Sequence, residues 1–187
     1  MFEPFAVGDY LVVPYRPFVG NQQKNTRILE ECAKHPERFT LPMTRADIMT
    51  TAAWYLTDPG NLAWEVWNGS EIIGILLLDR IVPRVDARWH FMFFDGNLVG
   101  KQALLQEFVR RAFTLPLERL SMEVPENVAS LISFVRRKLG FSYEGGNLKG
   151  SRRERSHLDG ERWHDVILLR LRKSELECQS PPLSAPP

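Results

Sequence analysis

The chain has 187 residues, of which 44% are hydrophobic and 25% are charged, and its formal net charge is +1. This length allows one substantial hydrophobic core, so we expect a single domain over residues 1–173. The near-zero charge excludes a general attraction to nucleic acid or anionic membranes, and no apolar run is long enough to span a bilayer. We therefore expect a cytoplasmic protein without a signal peptide.

The cysteines and histidines form no pattern typical of a disulfide framework or a metal site. Cys32 falls in a predicted helix and Cys178 near the end of the chain. The four histidines are scattered along the sequence without further ligands nearby. The sequence therefore predicts no metal.

The first third of the chain predicts a strand followed by two helices. Residues 9–16 have the composition of a strand, and helical periodicity follows over residues 25–35 and 44–56. Thr44 is the expected N-cap of the second helix, because Asp47 follows it at the capping-box spacing.

A hairpin and a central strand follow. Residues 61–67 and 71–80 pair about the turn signal Asn68-Gly69. The next strand, residues 86–94, ends in a uniformly apolar run, which predicts burial on both faces.

The next segment joins this strand to an amphipathic helix through a glycine-bearing turn. Asp95-Gly96-Asn97 is the turn, and residues 98–102 open the helix. The helix carries a broad apolar stripe of Leu104, Leu105, Phe108, Val109 and Ala112. A loop that enters a helix N-terminus presents backbone N–H groups and the positive end of the helix dipole, for which phosphate is a natural guest. The alternative is a tight connection without a ligand.

A second strand and helix complete the central part. Residues 119–124 predict the strand, Asn127 is a candidate N-cap, and apolar residues recur at helical spacing over residues 128–139. Gly140 is expected to end this helix in the left-handed conformation.

The last part of the chain predicts a hairpin and a tail. Asp159-Gly160 is the turn signal, and residues 162–169 form the second strand of the hairpin. Residues 174–187 are rich in proline and serine and predict a disordered end, which could dock on a partner.

The order of these elements, with Leu139-Gly140-Phe141 at the end of the second helix and Glu144-Gly145 shortly after it, resembles the GNAT superfamily of acetyl-CoA-dependent N-acetyltransferases. The run from Asp159-Gly160 to His164-Asp165 is similar to the branch that contains the ribosomal-protein alanine and spermidine acetyltransferases. The resemblance covers residues 62–171. It implies an α/β fold in which a mixed, curved sheet has helices on both faces and a splay between residues 86–94 and 119–124.

The resemblance also implies acetyl-CoA as cosubstrate. The residues that would contact it are Met92, Phe93, Phe94, Asn97, Leu98, Val99, Gly100, Lys101, Gln102 and Asn127. The pyrophosphate loop departs from the family pattern, because Asp95 stands at the basic or amide position and Leu98 at the first glycine. Only Gly100 fits the pattern. Lys101 could supply a compensating charge or be a solvated helix residue.

The catalytic residues implied by the resemblance are irregular too. Counting back from Leu139 places Arg136, or by another count Phe134, where many family members have an acid tyrosine. Tyr143 could replace it or could be a packed strand aromatic. His90 has the chemistry of a general base near neutral pH, although a histidine in an apolar strand is often a core residue. Glu123, on the next strand, is a second candidate base.

The resemblance implies an N-acetyltransferase that transfers acetyl directly to a primary amine, although no residue pattern indicates the acceptor. The alternative is a GNAT-shaped protein without catalysis, for example phage-encoded, that acts as a structural or interaction component. The altered loop keeps this alternative open. Both hypotheses are compatible with a homodimer or a larger assembly.

Overall fold

A computed structural model describes residues 2–17, 22–34, 44–144, 153–159 and 162–179 of the chain. The described residues form nine strands and five helices. In chain order these are β1 (Phe5–Val7), β2 (Tyr10–Pro14), α1 (Gln22–Ala33), α2 (Arg45–Thr57), β3 (Leu62–Asn68), β4 (Glu71–Val82), β5 (Asp86–Phe93), α3 (Gln102–Ala112), β6 (Arg119–Pro125), α4 (Ala129–Leu139), β7 (Ser142–Tyr143), β8 (Arg153–Asp159), β9 (Arg162–Arg172) and α5 (Lys173–Gln179). Of the described helices, none has the length and apolar character of a membrane span.

All described strands belong to one mixed sheet. Its order is β1-β2-β3-β4-β5-β6-β9-β7, and β8 lies beside β7 on the same edge of β9. Every described pair is antiparallel except β5 with β6, which is parallel. The predicted mixed sheet and its hairpins are therefore confirmed.

The sheet separates two hydrophobic clusters, because successive side chains of a strand point to opposite faces. In β4, Leu76 and Leu78 join the cluster that contains α3 and α4. Ile75 and Leu77 join the cluster that contains α1 and α2. Helices thus cover both faces of the sheet, as the resemblance implied.

The two central strands separate soon after they meet. β5 and β6 pair at three positions, from Asp86 with Arg119 to Arg88 with Ser121. Beyond Arg88, β5 pairs with β4 and β6 pairs with β9. We call the space between the two diverging ends the splay. It corrects the prediction that this strand is buried on both faces: Ala87 and Trp89 are buried, whereas the residues from 90 to 92 are only half-buried.

The helices that flank the splay differ from the sequence prediction at their starts. α3 begins at Gln102 and not near residue 98, but its predicted apolar stripe is fully buried. α4 begins at Ala129, with Val128 at the N-cap position and no side-chain cap hydrogen bond, so Asn127 is not the cap. Gly140 ends α4 with φ of 80°, which confirms the left-handed position.

The two ends of the chain contain elements that the sequence did not predict. A short strand, β1, precedes the predicted first strand and pairs with it. The sequence predicts disorder from residue 174 onward, but the structure has a helix, α5, as far as residue 179. Glu175 of α5 accepts hydrogen bonds from the Arg170 side chain and the Arg172 N–H, and Leu176 packs against the core. Residues 180–187 lie outside the described residues, as does the Gly160 turn.

Gly74 generates a testable prediction about the pairing of β4 with β5. A Cβ at this position would lie 2.5 Å from the Met92 carbonyl oxygen and 2.8 Å from Cδ1 of Phe93. We expect Gly74→Ala to lower the free energy of unfolding by about 1–3 kcal/mol, because the partner strand must shift. Chemical denaturation measures the change.

Gly60→Ala is the matched control. Its Cβ would meet only the rotatable Asp58 side chain, at 3.1 Å, so the expected change is within about 0.5 kcal/mol. Equal effects of the two substitutions would contradict the close approach at Gly74.

Candidate active site

A cluster of polar side chains lies at the start of the splay, on the sheet face covered by α1 and α2. β4 contributes Asp79, β5 contributes Arg88 and His90, and β6 contributes Glu123. The register explains this grouping, because Asp79 pairs with Arg88 and lies two residues after Leu77, which pairs with His90. These side chains therefore share the face that carries Leu77.

Asp79 and Arg88 form a buried, two-pronged ion pair. Arg88 Nε donates to Asp79 Oδ1 at 2.8 Å, and Nη2 donates to Oδ2 at 2.5 Å. The two side chains are 3% and 6% exposed. Removing either partner would leave an uncompensated buried charge, so the pair fixes the geometry of its surroundings.

Arg88 also joins the two strands where their pairing ends. Its Nη1 lies 3.0 Å from Glu123 Oε1, and Nη2 donates to the Tyr55 hydroxyl of α2 at 3.4 Å. One guanidinium thus holds β4, β5, β6 and α2 together, and it does so at the last residue of the β5–β6 ladder.

A bulge beside the cluster aims a second arginine at Glu123. The β4–β5 register shifts after Asp79, and Arg80 has φ of 48°. Its Nη1 reaches to 4.0 Å from Glu123 Oε1, and the side chain is 59% exposed. Bulges commonly redirect a side chain next to functional sites, and positive φ at a non-glycine residue is a strained backbone.

The charges of the ion pair persist at neutral pH. Burial alone would raise the pKa of the Asp79 carboxyl, but the hydrogen bonds from Arg88 and His90 and their charges outweigh burial and lower it. Burial lowers the pKa of Arg88, yet the hydrogen bond to Asp79 and the charges of Asp79 and Glu123 raise it overall. Asp79 therefore serves as a fixed anion and not as a base.

His90 is oriented by this anion. Its Nε2 lies 3.0 Å from Asp79 Oδ1, and its side chain is 37% exposed. An ionised carboxylate can only accept hydrogen bonds, so Nε2 carries the proton and Nδ1 of the neutral ring is the acceptor. A histidine held in one tautomer and open to solvent can take a proton from an incoming nucleophile.

The loop between β5 and α3 is held by an internal ion pair. Lys101 Nζ lies 3.0 Å and 2.8 Å from the two carboxylate oxygens of Asp95 and donates to the Asn97 carbonyl at 2.6 Å. The Lys101 side chain is 4% exposed. Lys101 is therefore not the solvated helix residue that was one of the two sequence interpretations; it lies buried at the N-cap position of α3.

Several amides of this loop are also bonded internally. The Asn97 N–H donates to Asp95 Oδ1, and the Val99 N–H donates to the Asn97 side-chain oxygen. The Lys101 N–H donates to the Leu98 carbonyl at 3.2 Å. Partial burial would raise the pKa of Asp95, but the hydrogen bonds from Lys101 and the Asn97 amide and the lysine charge lower it. The loop thus already contains an anion bound to N–H groups.

The residues predicted to contact acetyl-CoA lie in three different environments. Met92 and Phe94 pack against the cluster of α1 and α2, whereas Phe93 belongs to the opposite core. Val99 is 81% exposed. Asn97, Gly100 and Asn127 are also exposed, and Leu98 and Gln102 are half-buried.

Of the predicted catalytic residues, the structure brings His90 and Glu123 together but places Tyr143 elsewhere. Tyr143 lies on β7, which is separated from β6 by β9, so it is about 10 Å or two strand spacings from the near side of the splay. It is 8% exposed, and the Arg136 guanidinium lies 4.1 Å above its ring. Of the two interpretations of Tyr143, the structure therefore favours a packed aromatic residue on a strand. The Arg136 side chain is directed toward its ring.

Sequence reasoning missed Asp79 and Arg88. A signal for both was present, because Asp79 interrupts an apolar strand and Arg88 precedes an equally apolar one. Charges at such positions are almost never buried unless they are paired. The bulge after Asp79 gave no comparable signal.

The Asp79 pKa predicts how stability depends on pH. The folded pKa lies below the unfolded value of 3.8, so the stabilisation is present above pH 3.8 and is lost as pH falls through the lower, folded pKa. We expect the free energy of unfolding to fall between pH 4 and pH 2, with Asp79 contributing on the order of 2–3 kcal/mol. Denaturation across this range measures it.

Asp79→Asn is the comparison. The variant should be less stable than the parent protein at pH 7, and the difference between the two should shrink toward pH 2. A difference that does not change with pH would contradict the ion pair.

Comparison with known proteins supports the fold. No protein-family model matches this sequence, and neither does any curated protein sequence. Solved structures do match. Spermidine N-acetyltransferase from Vibrio cholerae, in complex with CoA and spermine, has a TM-score of 0.67 at 14% identity, over 91% of this chain and 99% of that chain.

Two further structures show the same likeness. A probable acetyltransferase of the GNAT family from Chromobacterium violaceum has a TM-score of 0.67 at 14% identity, over 93% of each chain. The N-acetyltransferase PseH from Campylobacter jejuni has a TM-score of 0.55 at 14% identity, over 87% of this chain and 98% of that chain. These matches show that the chain has the fold of the GNAT acetyltransferases.

Proposed function

We propose that the protein is an acetyl-CoA-dependent N-acetyltransferase that acts on a primary amine, with His90 as the general base. The observation that carries the proposal is the position of His90. It lies beside the splay of a GNAT fold, held by a buried carboxylate and still open to solvent. In this proposal the splay would hold the thioester, and His90 would accept the proton.

The reaction needs no covalent enzyme intermediate. The amine nitrogen attacks the thioester carbonyl, forming the C–N bond, and its proton passes to His90 Nδ1 directly or through water. The C–S bond then breaks, and the thiolate leaves and takes up a proton. The products are the acetylated amine and the free thiol.

The absence of an acid tyrosine from the expected place on α4 is compatible with this chemistry. Free thiols have pKa values near 8.5, so a departing thiolate requires less help from an acid than an alkoxide does. Positioning two reactants can itself supply several powers of ten in rate. N–H groups along a strand edge can stabilise the oxyanion of the tetrahedral intermediate.

The donor would lie in the splay. All residues of β5 and β6 are described, and the two strands are not paired beyond Arg88. An extended chain with amide groups can therefore bind along the edge of β5 that faces β6, as an added strand does. Met92 and Phe94 border this edge on the side of α1 and α2. The amine would then approach His90 from the side of α2, where Trp54 is 57% exposed.

We further propose that the protein acts in the cytoplasm and self-associates. One structural relative, spermidine N-acetyltransferase from Vibrio cholerae, is dodecameric. Light scattering at several protein concentrations tests self-association.

A second candidate function is a structural or interaction role without catalysis. The internal pair of Asp95 with Lys101 favours it, because this loop already holds its own anion. The two candidates differ in a simple observation: only the enzyme releases thiol from acetyl-CoA when a primary amine is present.

Substitution of His90 tests the proposed enzyme. We expect His90→Gln to lower kcat by about 10²–10⁴-fold on a reactive primary amine, because the general base is lost. Thiol release from acetyl-CoA is the measurement.

Tyr143→Phe is the control. It removes the other titratable candidate, which lies two strands from the splay, and should leave kcat within about twofold because it touches no reacting group. The reverse pattern, with His90→Gln active and Tyr143→Phe inactive, would overturn the assignment.

A further inference from the structure

We propose that this protein recognises its acyl donor through the acylated pantetheine arm and gains little from the nucleotide diphosphate. The donor class is therefore an S-acylpantetheine, whether or not a nucleotide follows it. This inference rests on the proposed function, and it concerns the loop between β5 and α3, residues 94–101.

The only lysine of this loop cannot serve a ligand without breaking internal contacts. Lys101 Nζ has two carboxylate oxygens and one carbonyl oxygen within 3.0 Å. It also lies 4.8 Å from the centroid of the Phe93 ring. An ammonium group has three donors, and these three oxygens account for all of them.

Asp95 opposes a second anion at this position. Its side chain is 54% exposed, so the carboxylate is open to solvent. It accepts from the Asn97 N–H at 3.0 Å, and this is the kind of bond a phosphate oxygen would accept from a loop amide. A diphosphate bound at this loop would meet like charge there.

Two further amides of the loop are used in short local bonds. The Val99 N–H is bonded to the Asn97 side chain at 2.9 Å, and the Lys101 N–H to the Leu98 carbonyl. A ligand that bonded to these N–H groups would have to break the existing hydrogen bonds, so the number of hydrogen bonds would not increase. The loop is therefore a poor fit for a diphosphate.

The splay, in contrast, fits the pantetheine arm. The arm carries two amide groups, which can bond to the open edge of β5, and methylene groups, which can contact the half-buried side chains there. Binding of this half needs no charge. The acetyl group would reach the amine near His90, with the C–N bond formed, the C–S bond broken and the pantetheine thiol released.

The test compares two donors on the full-length protein. Calorimetry with acetyl-CoA and with S-acetylpantetheine should give dissociation constants within about threefold of each other. Asp95→Asn frees Lys101 and removes the competing charge. The variant should therefore bind acetyl-CoA with a dissociation constant about three- to tenfold lower, whereas its dissociation constant for S-acetylpantetheine should change by less than about twofold.

A measurement on the unmodified protein keeps the test decisive if the variant does not fold. Between 50 and 300 mM salt, acetyl-CoA affinity should change by less than about twofold, since little of it comes from phosphate contacts. Acetyl-CoA that binds about 30-fold or more tighter than S-acetylpantetheine, with strong salt dependence, would overturn this inference and leave the proposed function standing. If neither donor binds, the proposed function fails together with it.

Discussion

The architecture of the candidate site depends on one interaction, the three-way pairing of Arg88 with Asp79 and Glu123. The β5–β6 ladder ends at Arg88, and the guanidinium takes over the connection from there, bonding to β4 on one side and β6 on the other. Desolvating three charges is expensive, and a well-packed apolar cluster could stabilise the sheet as well. The charged arrangement instead gives a fixed geometry, because the directions of its hydrogen bonds are defined. The two strands can then diverge without the sheet losing its register.

The orientation of His90 follows from that arrangement. Asp79 uses one oxygen for both Arg88 and His90, so the same buried anion that closes the sheet selects the tautomer of the imidazole. Because the strands part immediately beyond Arg88, His90 is half-buried and not sealed in the core. Structure and chemistry are thus coupled at one carboxylate. The loop between β5 and α3 differs from this cluster. Its charged residues, Asp95 and Lys101, pair with each other, so little charge is left to bind a ligand.

The sequence predicted the fold well and the site only in part. Periodicity located the α3 stripe, the left-handed Gly140 and the capping box of Thr44 with Asp47, because these are local signals that depend on neighbours within a few residues. The base candidates His90 and Glu123 were placed on adjacent strands correctly. The Asp79–Arg88 pair was missed because it depends on strand register, and the bulge after Asp79 changes that register. The buried state of Lys101 was missed because it depends on a partner six residues away across a turn.

The central claim is that an acyl thioester occupies the splay between β5 and β6. Amide hydrogen exchange in the presence and absence of saturating acetyl-CoA tests this claim most directly, since the facing edges of these strands should be covered by the ligand. The account predicts slower exchange at residues 89–93 and 122–124, with little change across the hairpin of β3 and β4. Unchanged exchange along both strands, or protection confined to another face of the sheet, would contradict it.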